Sequence, residues 1–192
     1  DGKVVIGGLF SRVGSVDQNA VARLTATGTL DSTFVIGAGI KDGGSTGRVH
    51  SIVKQGDGKI VAVGRFNSFN NVSRKNVVRL NTDGTIDSGF VADTDYEVQE
   101  VSVTAGSKLF IGGYFETVNG LYTSGLARVN SNGDVDSTFN RGEVYDDVLV
   151  IATLTTGSVI VSRSDNDHPL IRYDSLGKID STFKPIIENR AD

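Results

Sequence analysis

The chain has no cysteine, no methionine and no tryptophan, and only two prolines and two histidines in 192 residues. Without cysteine there is no disulfide staple and no thiolate metal ligand. The histidines, His50 and His168, stand at no spacing that pairs them with further ligands, so structural roles are expected for both. No apolar run approaches the length of a bilayer-spanning helix, and no signal-peptide pattern is visible. The formal net charge is −4 with no basic stripe, which argues against nucleic acid and anionic membranes as partners. Sustained apolar periodicity of the helical kind is also missing, so almost no helix is expected. Nothing resembles a nucleophile elbow or a catalytic triad. The glycine-rich stretch Gly43-Gly44-Ser45-Thr46-Gly47 lacks the spacing of a phosphate loop and reads as a flexible connection.

What the chain does have is repetition. The stretch Arg23-Leu24-Thr25-Ala26-Thr27-Gly28-Thr29-Leu30-Asp31-Ser32-Thr33-Phe34 returns from Arg79 to Phe90, from Arg128 to Phe139 and from Arg172 to Phe183. Its aspartate recurs at 31, 87, 136 and 180, a period of 56, then 49, then 44 residues. Periods of this size signal a repeat architecture. Upstream of each copy lies a second block: Asp1 to Phe10, Asp57 to Phe66 and Gly106 to Phe115, each with a glycine near its end. In the fourth copy, Gly157 to Ser162, Arg163-Ser164 replaces the glycines. A third block occupies Val49 to Gln55, Val98 to Thr104 and Val148 to Leu154. Each unit therefore holds three short Val/Ile/Leu-rich runs bounded by turn residues, strands A, B and C, plus a short fourth run D ending in the motif Phe.

The C–D connection is legible to the residue. A three-residue loop such as Thr82-Asp83-Gly84 puts glycine where a left-handed conformation is wanted. In that register Leu24 faces Leu30, Leu80 faces Ile86, Val129 faces Val135 and Tyr173 faces Ile179. Arg23 then faces Asp31, and Arg79/Asp87, Arg128/Asp136 and Arg172/Asp180 follow suit. Cross-strand apolar and opposite-charge pairs both stabilise a hairpin. The aspartate can also accept backbone N–H bonds in the Asp-Ser-Thr-Phe turn. These pairs are expected to serve stability, so Arg79→Ala should lower the melting temperature and spare any rim-mediated binding.

Small sheets of this kind are expected to stack radially, which gives an all-β fold of consecutive four-stranded antiparallel blades of a β-propeller. An open β-repeat array is the alternative. The glycine pair late in strand B suggests a bulge or a close backbone approach. The Asp-Gly-Lys-Ile-Val-x-x-Gly-x-Phe block followed by Ala-Arg-Leu-x-x-x-Gly-x-Leu-Asp-x-x-Phe resembles the delta-60 repeat. That resemblance implies propeller-forming tandem units in large exported bacterial proteins and phage tail or fibre proteins. It implies no catalytic residues.

The residues 1–192 read as one repeat domain, with units at about 1–34, 35–90, 91–139 and 140–183 and the start of another at 184–192. About three and a half units are visible, and the chain reads as a fragment of a longer protein. The Asn/Asp-rich turns at 81–87 and 130–136 have the look of part of a calcium loop. The first copy offers Thr25 and Thr27 there, and the fourth offers Leu176, so turn chemistry suffices and no metal and no cofactor are expected. Asn71-Val72-Ser73 fits a glycosylation acceptor.

The A–B and C–D connections are tight. The B–C connections (11–20, 67–76, 116–124, 165–169) and D–A connections (35–48, 91–97, 140–147) are long and read as dissimilar. In an up-and-down blade both long sets emerge on one rim, where binding is expected. Phe69, Tyr96, Tyr122 and Tyr145 are the ligand-binding candidates there. The expected function is a non-enzymatic structural and recognition module, extracellular, at a cell surface or on a virion, that meets a glycan or protein receptor and other repeats of the same protein or assembly. The alternative is a carbohydrate-active enzyme with Asp95, Glu116 and Asp146 converging over the channel.

Overall fold

The structure, a computed structural model, describes residues 2–140, 147–163 and 170–186. Tyr145, Asp146, His168 and most of the expected further unit lie outside the described residues. Unit 1 contributes β1 (Val4–Gly7), β2 (Arg12–Val13), β3 (Val16–Asp17) and β4 (Val21–Leu24). Unit 2 contributes β5 (Ile40–Asp42), β6 (Ser45–Thr46), β7 (Arg48–Lys54), β8 (Ile60–Arg65), β9 (Ser68–Phe69), β10 (Val72–Ser73) and β11 (Val77–Leu80). Unit 3 contributes β12 (Val98–Val103), β13 (Leu109–Gly113), β14 (Thr117–Val118), β15 (Leu121–Tyr122) and β16 (Leu126–Val129). Unit 4 contributes β17 (Val148–Thr153), β18 (Val159–Arg163) and β19 (Leu170–Tyr173). All pairings are antiparallel, and no helix forms among the described residues.

Strands A, B and C form the three-stranded sheets β7-β8-β11, β12-β13-β16 and β17-β18-β19. Unit 1 has B and C alone, as β1-β4. The fourth strand expected of each unit is one bridged residue: Leu30 on Leu24, Ile86 on Leu80, Val135 on Val129, Ile179 on Tyr173. The reason lies in the next residue. Asp31 N–H donates to Arg23 O, and then the Asp31 carboxylate accepts Thr33 N–H and turns the chain away.

The two middle sheets bury both faces. Along β8, Ile60 and Ala62 join the core shared with Val21 and Phe34 of unit 1, while Val61 and Val63 join the core shared with Val98, Val101 and Ile111 of unit 3. A third core joins Phe110 and Phe139 of unit 3 to Val148, Val161 and Tyr173 of unit 4. A strand covered on both sides needs side chains of opposite orientation to be apolar, which is why β8 reads Ile-Val-Ala-Val without alternation. Among the described residues every apolar core cluster therefore straddles two units, and no sheet has a core of its own.

Each A strand carries a bulge, opposite the last glycine of the B strand in units 2 and 3: Val49 pairs with Gly64 and Ser51 with Val63, and Val98 pairs with Gly113 and Glu100 with Gly112. A Cβ on Gly64 would run into the Arg48 carbonyl, and one on Gly113 into the Glu97 carbonyl. The close approach is real and belongs to the partner strand's bulge. In unit 4 the equivalent pair is Val148 with Arg163 and Val150 with Ser162. The residues standing for the glycines are thus Ser162 and Arg163, one position earlier than the sequence suggested.

The B–C connections also differ from expectation. Those of the first three units are not dissimilar loops but one hairpin repeated, as β2-β3, β9-β10 and β14-β15. The preceding D–A segment pairs onto its first strand, Ile40 with Phe69 and Thr94 with Val118. Asn70-Asn71 and Asn119-Gly120 occupy the tips with positive φ throughout, the two-residue turn that matches strand twist.

Candidate functional site

The two rims carry different chemistry. At the rim of the tight turns, Arg Nε lies 2.7, 2.8, 2.6 and 2.8 Å from Asp Oδ2 in the pairs Arg23–Asp31, Arg79–Asp87, Arg128–Asp136 and Arg172–Asp180. A lysine that sequence reasoning left without a role completes each of the first three: Lys3, Lys59 and Lys108 approach the same oxygens to 2.9, 2.8 and 2.7 Å. Unit 4 has Ser158 at that place in the turn. The other carboxylate oxygen accepts the Thr33, Thr138 or Thr182 hydroxyl at 2.7, 2.7 and 2.6 Å, while unit 2 offers only Gly89 N–H. Each guanidinium also covers its motif ring, at 4.7 Å for Phe34, 4.3 Å for Phe90 and 5.0 Å for Phe139 and Phe183.

The cluster reaches into the next unit. Arg23 Nη1 donates to Thr82 O and Arg128 Nη1 to Ser175 O. The residue after the motif Phe donates its N–H to the same turn: Val35 to Asp83 O, Val91 to Asn132 O and Asn140 to Leu176 O. This explains the turn glycine twice over. Gly84, Gly133 and Gly177 have φ near +90° and meet the backbone just beyond the preceding unit's motif Phe, at Val35, Val91 and Asn140, whereas Gly28 has the same conformation and open space. Hydrogen bonding fixes the carboxylates as anions. The Thr33 hydroxyl, then Lys3, holds Asp31 well below the usual carboxylate range. Burial alone would raise Asp87 and Asp136, but the lysine and the other donors outweigh it and both are lowered. The Thr182 hydroxyl and amide hold Asp180 at about 2. This arrangement binds unit to unit.

At the opposite rim the positions that scaffold the units are repeated, and the positions between them are not. Leu9, Arg65 and Tyr114 are equivalent, each following the last glycine of strand B and preceding its Phe. Arg48 and Glu97 are equivalent at the start of strand A, and His50 and Gln99 are the bulged residues. Bulges re-aim side chains. All seven residues line one open cavity of about 490 Å³ between units 1, 2 and 3. A second depression of about 290 Å³ adjoins it, sharing Asp42, Arg65 and Glu97 and adding Lys75, Asp95 and Tyr96. Within this groove Arg65 faces Asp42 at 3.3 Å and His50 faces Glu97 at 3.6 Å.

Of the four aromatic candidates, Tyr96 lines the groove and is 58% exposed. Tyr122 is 49% exposed on the β14-β15 hairpin and lines neither of these cavities. Phe69 is a correction: at 1% exposure it is a core residue, because pairing with Ile40 turns it inward. Tyr145 lies outside the described residues, as does Asp146. Asp95 accepts the backbone N–H groups of Glu116 and Thr117, both at 2.9 Å, and so holds a strand end in place. No group of three or more His, Asp or Glu suited to a metal occurs among the described residues. Sequence reasoning missed Arg48, Arg65, Lys75 and Tyr114. Their signal was available as divergence at equivalent positions of the repeat.

The family model described as "Domain of unknown function (DUF5122) beta-propeller" matches residues 1–34, 55–90 and 107–139. The chain belongs to this β-propeller family. Each DUF5122 match ends on a motif Phe and takes in the B strand, the hairpin, the C strand and the D turn of one unit. The matched stretches include the three lysines, and the unit without the lysine is unmatched. No curated protein matches the chain. Among solved structures, a protein of unknown function from Bacteroides caccae is similar over 93% of this chain and 76% of its own length, at 10% identity and a TM-score of 0.37.

Proposed function

We propose that this β-propeller chain is a non-enzymatic structural and recognition module of a larger surface or virion protein, and that it receives a glycan or protein in the groove of the loop rim. The observation that carries the reading is the convergence of the non-repeated positions 9, 65, 114, 48, 97, 50 and 99 on one open cavity. Repeats that keep their scaffold and vary only where side chains meet have the form of a binding surface on a rigid support. The motif's resemblance to the delta-60 repeat supports the extracellular setting. Ring closure by further units of the same kind, with the D segment as a fourth blade strand, is part of the same proposal.

The test is an array of glycans and surface proteins probed with the chain, beside Tyr96→Ala and Arg48→Gln variants. Retention that both variants weaken supports the module. A second reading keeps the carbohydrate and adds turnover: Asp95, Glu116 and Asp146 would be its carboxylates. Release of product from any retained glycan, lost in Glu116→Gln, would replace the first reading with the second.

A further inference from the structure

Every carboxylate of the groove is already engaged, and two of its cations are not. Asp42 faces Arg65 and accepts from Asn67 Nδ2 at 3.4 Å. Glu97 faces His50, and Asp95 is held by two backbone amides. Arg48 in the larger depression and Lys75 in the smaller make no side-chain hydrogen bond or ion pair with the described residues, and both are exposed. Each of these cations shares its depression with an exposed tyrosine, Tyr114 beside Arg48 and Tyr96 beside Lys75. The Arg65–Asp42 pair and Glu97 lie between them, common to both.

We infer that the groove binds a linear, carboxylate-bearing oligosaccharide, one acidic sugar to each depression. This rests on the recognition reading above and specifies its ligand. A guanidinium accepts a carboxylate with two parallel hydrogen bonds, and an ammonium does so as a point charge. The tyrosine rings offer an apolar face to a sugar ring and a hydroxyl at its edge. Gln99, Asn67 and the Arg65–Asp42 pair are planar polar groups suited to sugar hydroxyls. The site is open and polar, which disfavours an apolar ligand that needs enclosure. The chain's net charge of −4 repels anions elsewhere, so the two unpaired cations make the attraction local.

Tetramers of galacturonate and of α2,8-linked sialic acid, their methyl esters and poly-glutamate are the probes, titrated into the whole chain by calorimetry. At least one acidic tetramer is expected to bind, with its methyl ester about tenfold weaker or more. Arg48→Gln and Lys75→Gln should each reduce affinity about fivefold or more, and Arg48→Lys should restore part of the loss. Both side chains are exposed, so unchanged thermal melting of the variants is expected and separates binding from folding. Methyl esters that bind as well as the acids, with Tyr114→Ala weakening both, would overturn the acidic ligand and leave glycan recognition standing. Poly-glutamate binding as tightly as the sugars, with the same variant losses, would overturn the saccharide. Absence of binding by every saccharide probe would overturn this inference, and a positive glycan or protein array would then keep the broader reading alive.

Discussion

The turn rim and the loop rim of the same sheets follow opposite rules. At the turn rim, unit after unit presents the same Arg, Asp and glycine, and most add Lys and Thr; the carboxylate gathers the Arg, Lys and Thr donors, and Arg23 and Arg128 reach on to the next unit's turn. At the loop rim the backbone repeats and the side chains do not: Leu9, Arg65 and Tyr114 share one position, and Arg48 and Glu97 another. Repetition marks what joins units, because each junction poses the same problem. Divergence marks what faces outward at a shared mouth, and the proposed recognition role accounts for it, since one ligand would meet each unit from a different side.

The sharpest way to break this comparison is to cut the junction. Arg128 and Asp136 are 10% and 4% exposed, so Arg128→Ala leaves a buried carboxylate with Lys108 as its one remaining cation beside the Thr138 donors, and is expected to cost about 3–5 kcal/mol, read as a loss in urea midpoint. Arg172 and Asp180, with no described unit beyond them, are 29% and 26% exposed, and Arg172→Ala should cost clearly less. Equal losses would mean that the junction adds nothing to the pair. The second cut uses one glycine turn in two settings. Gly133→Ala meets both a left-handed backbone and the Val91 carbonyl, and is expected to cost about 3 kcal/mol. Gly28→Ala meets the backbone cost alone, about 1–2 kcal/mol.

These expectations separate what the sequence disclosed from what it concealed. The C–D register was legible because Arg, Gly and Asp sit within one short interval and one hairpin satisfies all three. The lysine was not, since Lys59 and Asp87 are 28 residues apart and only sheet pairing brings them together. Phe69 reads as a rim aromatic because its neighbours are polar; pairing with Ile40 of the D–A segment, 29 residues earlier, decides that it points inward. The repeated hairpin was concealed by drift in all but a few positions, Phe66, Phe69, Asn70 and Val72 against Phe115, Val118, Asn119 and Leu121. The groove was legible in part, through Tyr96, because its other members belong to three units and no local pattern joins them.

Acid offers a milder test. The paired aspartates have lowered pKa values in the fold, so they add stability above the ordinary carboxylate pKa near 3.8, and this is lost as pH falls through the folded values, about 2 for Asp180. Urea midpoints should hold from neutrality to about pH 4 and fall steeply below it. In Asp136→Asn the midpoint should be lower at neutrality and the acid limb shallower. A smaller effect comes from Ser107, which holds a left-handed conformation (φ 64°) in the A–B turn where units 2 and 4 place glycine. Ser107→Gly should stabilise by less than about 1 kcal/mol. The smallest effect is expected at the loop rim, where Arg48→Gln and Tyr96→Ser should change stability by less than about 0.5 kcal/mol.

The N–H just beyond each motif Phe, satisfied by the C–D turn of the following sheet, has a consequence in time. Val35 has its acceptor only when Asp83 is in place, and Val91 waits in the same way for Asn132. A ribosome adding about 5–20 residues each second makes one period of 49 residues in about 2–10 s. Throughout synthesis the newest sheet is therefore incomplete, with its motif Phe and the residue beyond it uncovered, until the following sheet emerges. The nascent protein is assembled vectorially, each unit acting as the template on which its predecessor finishes folding, and the interval is when a chaperone has most to gain by holding it.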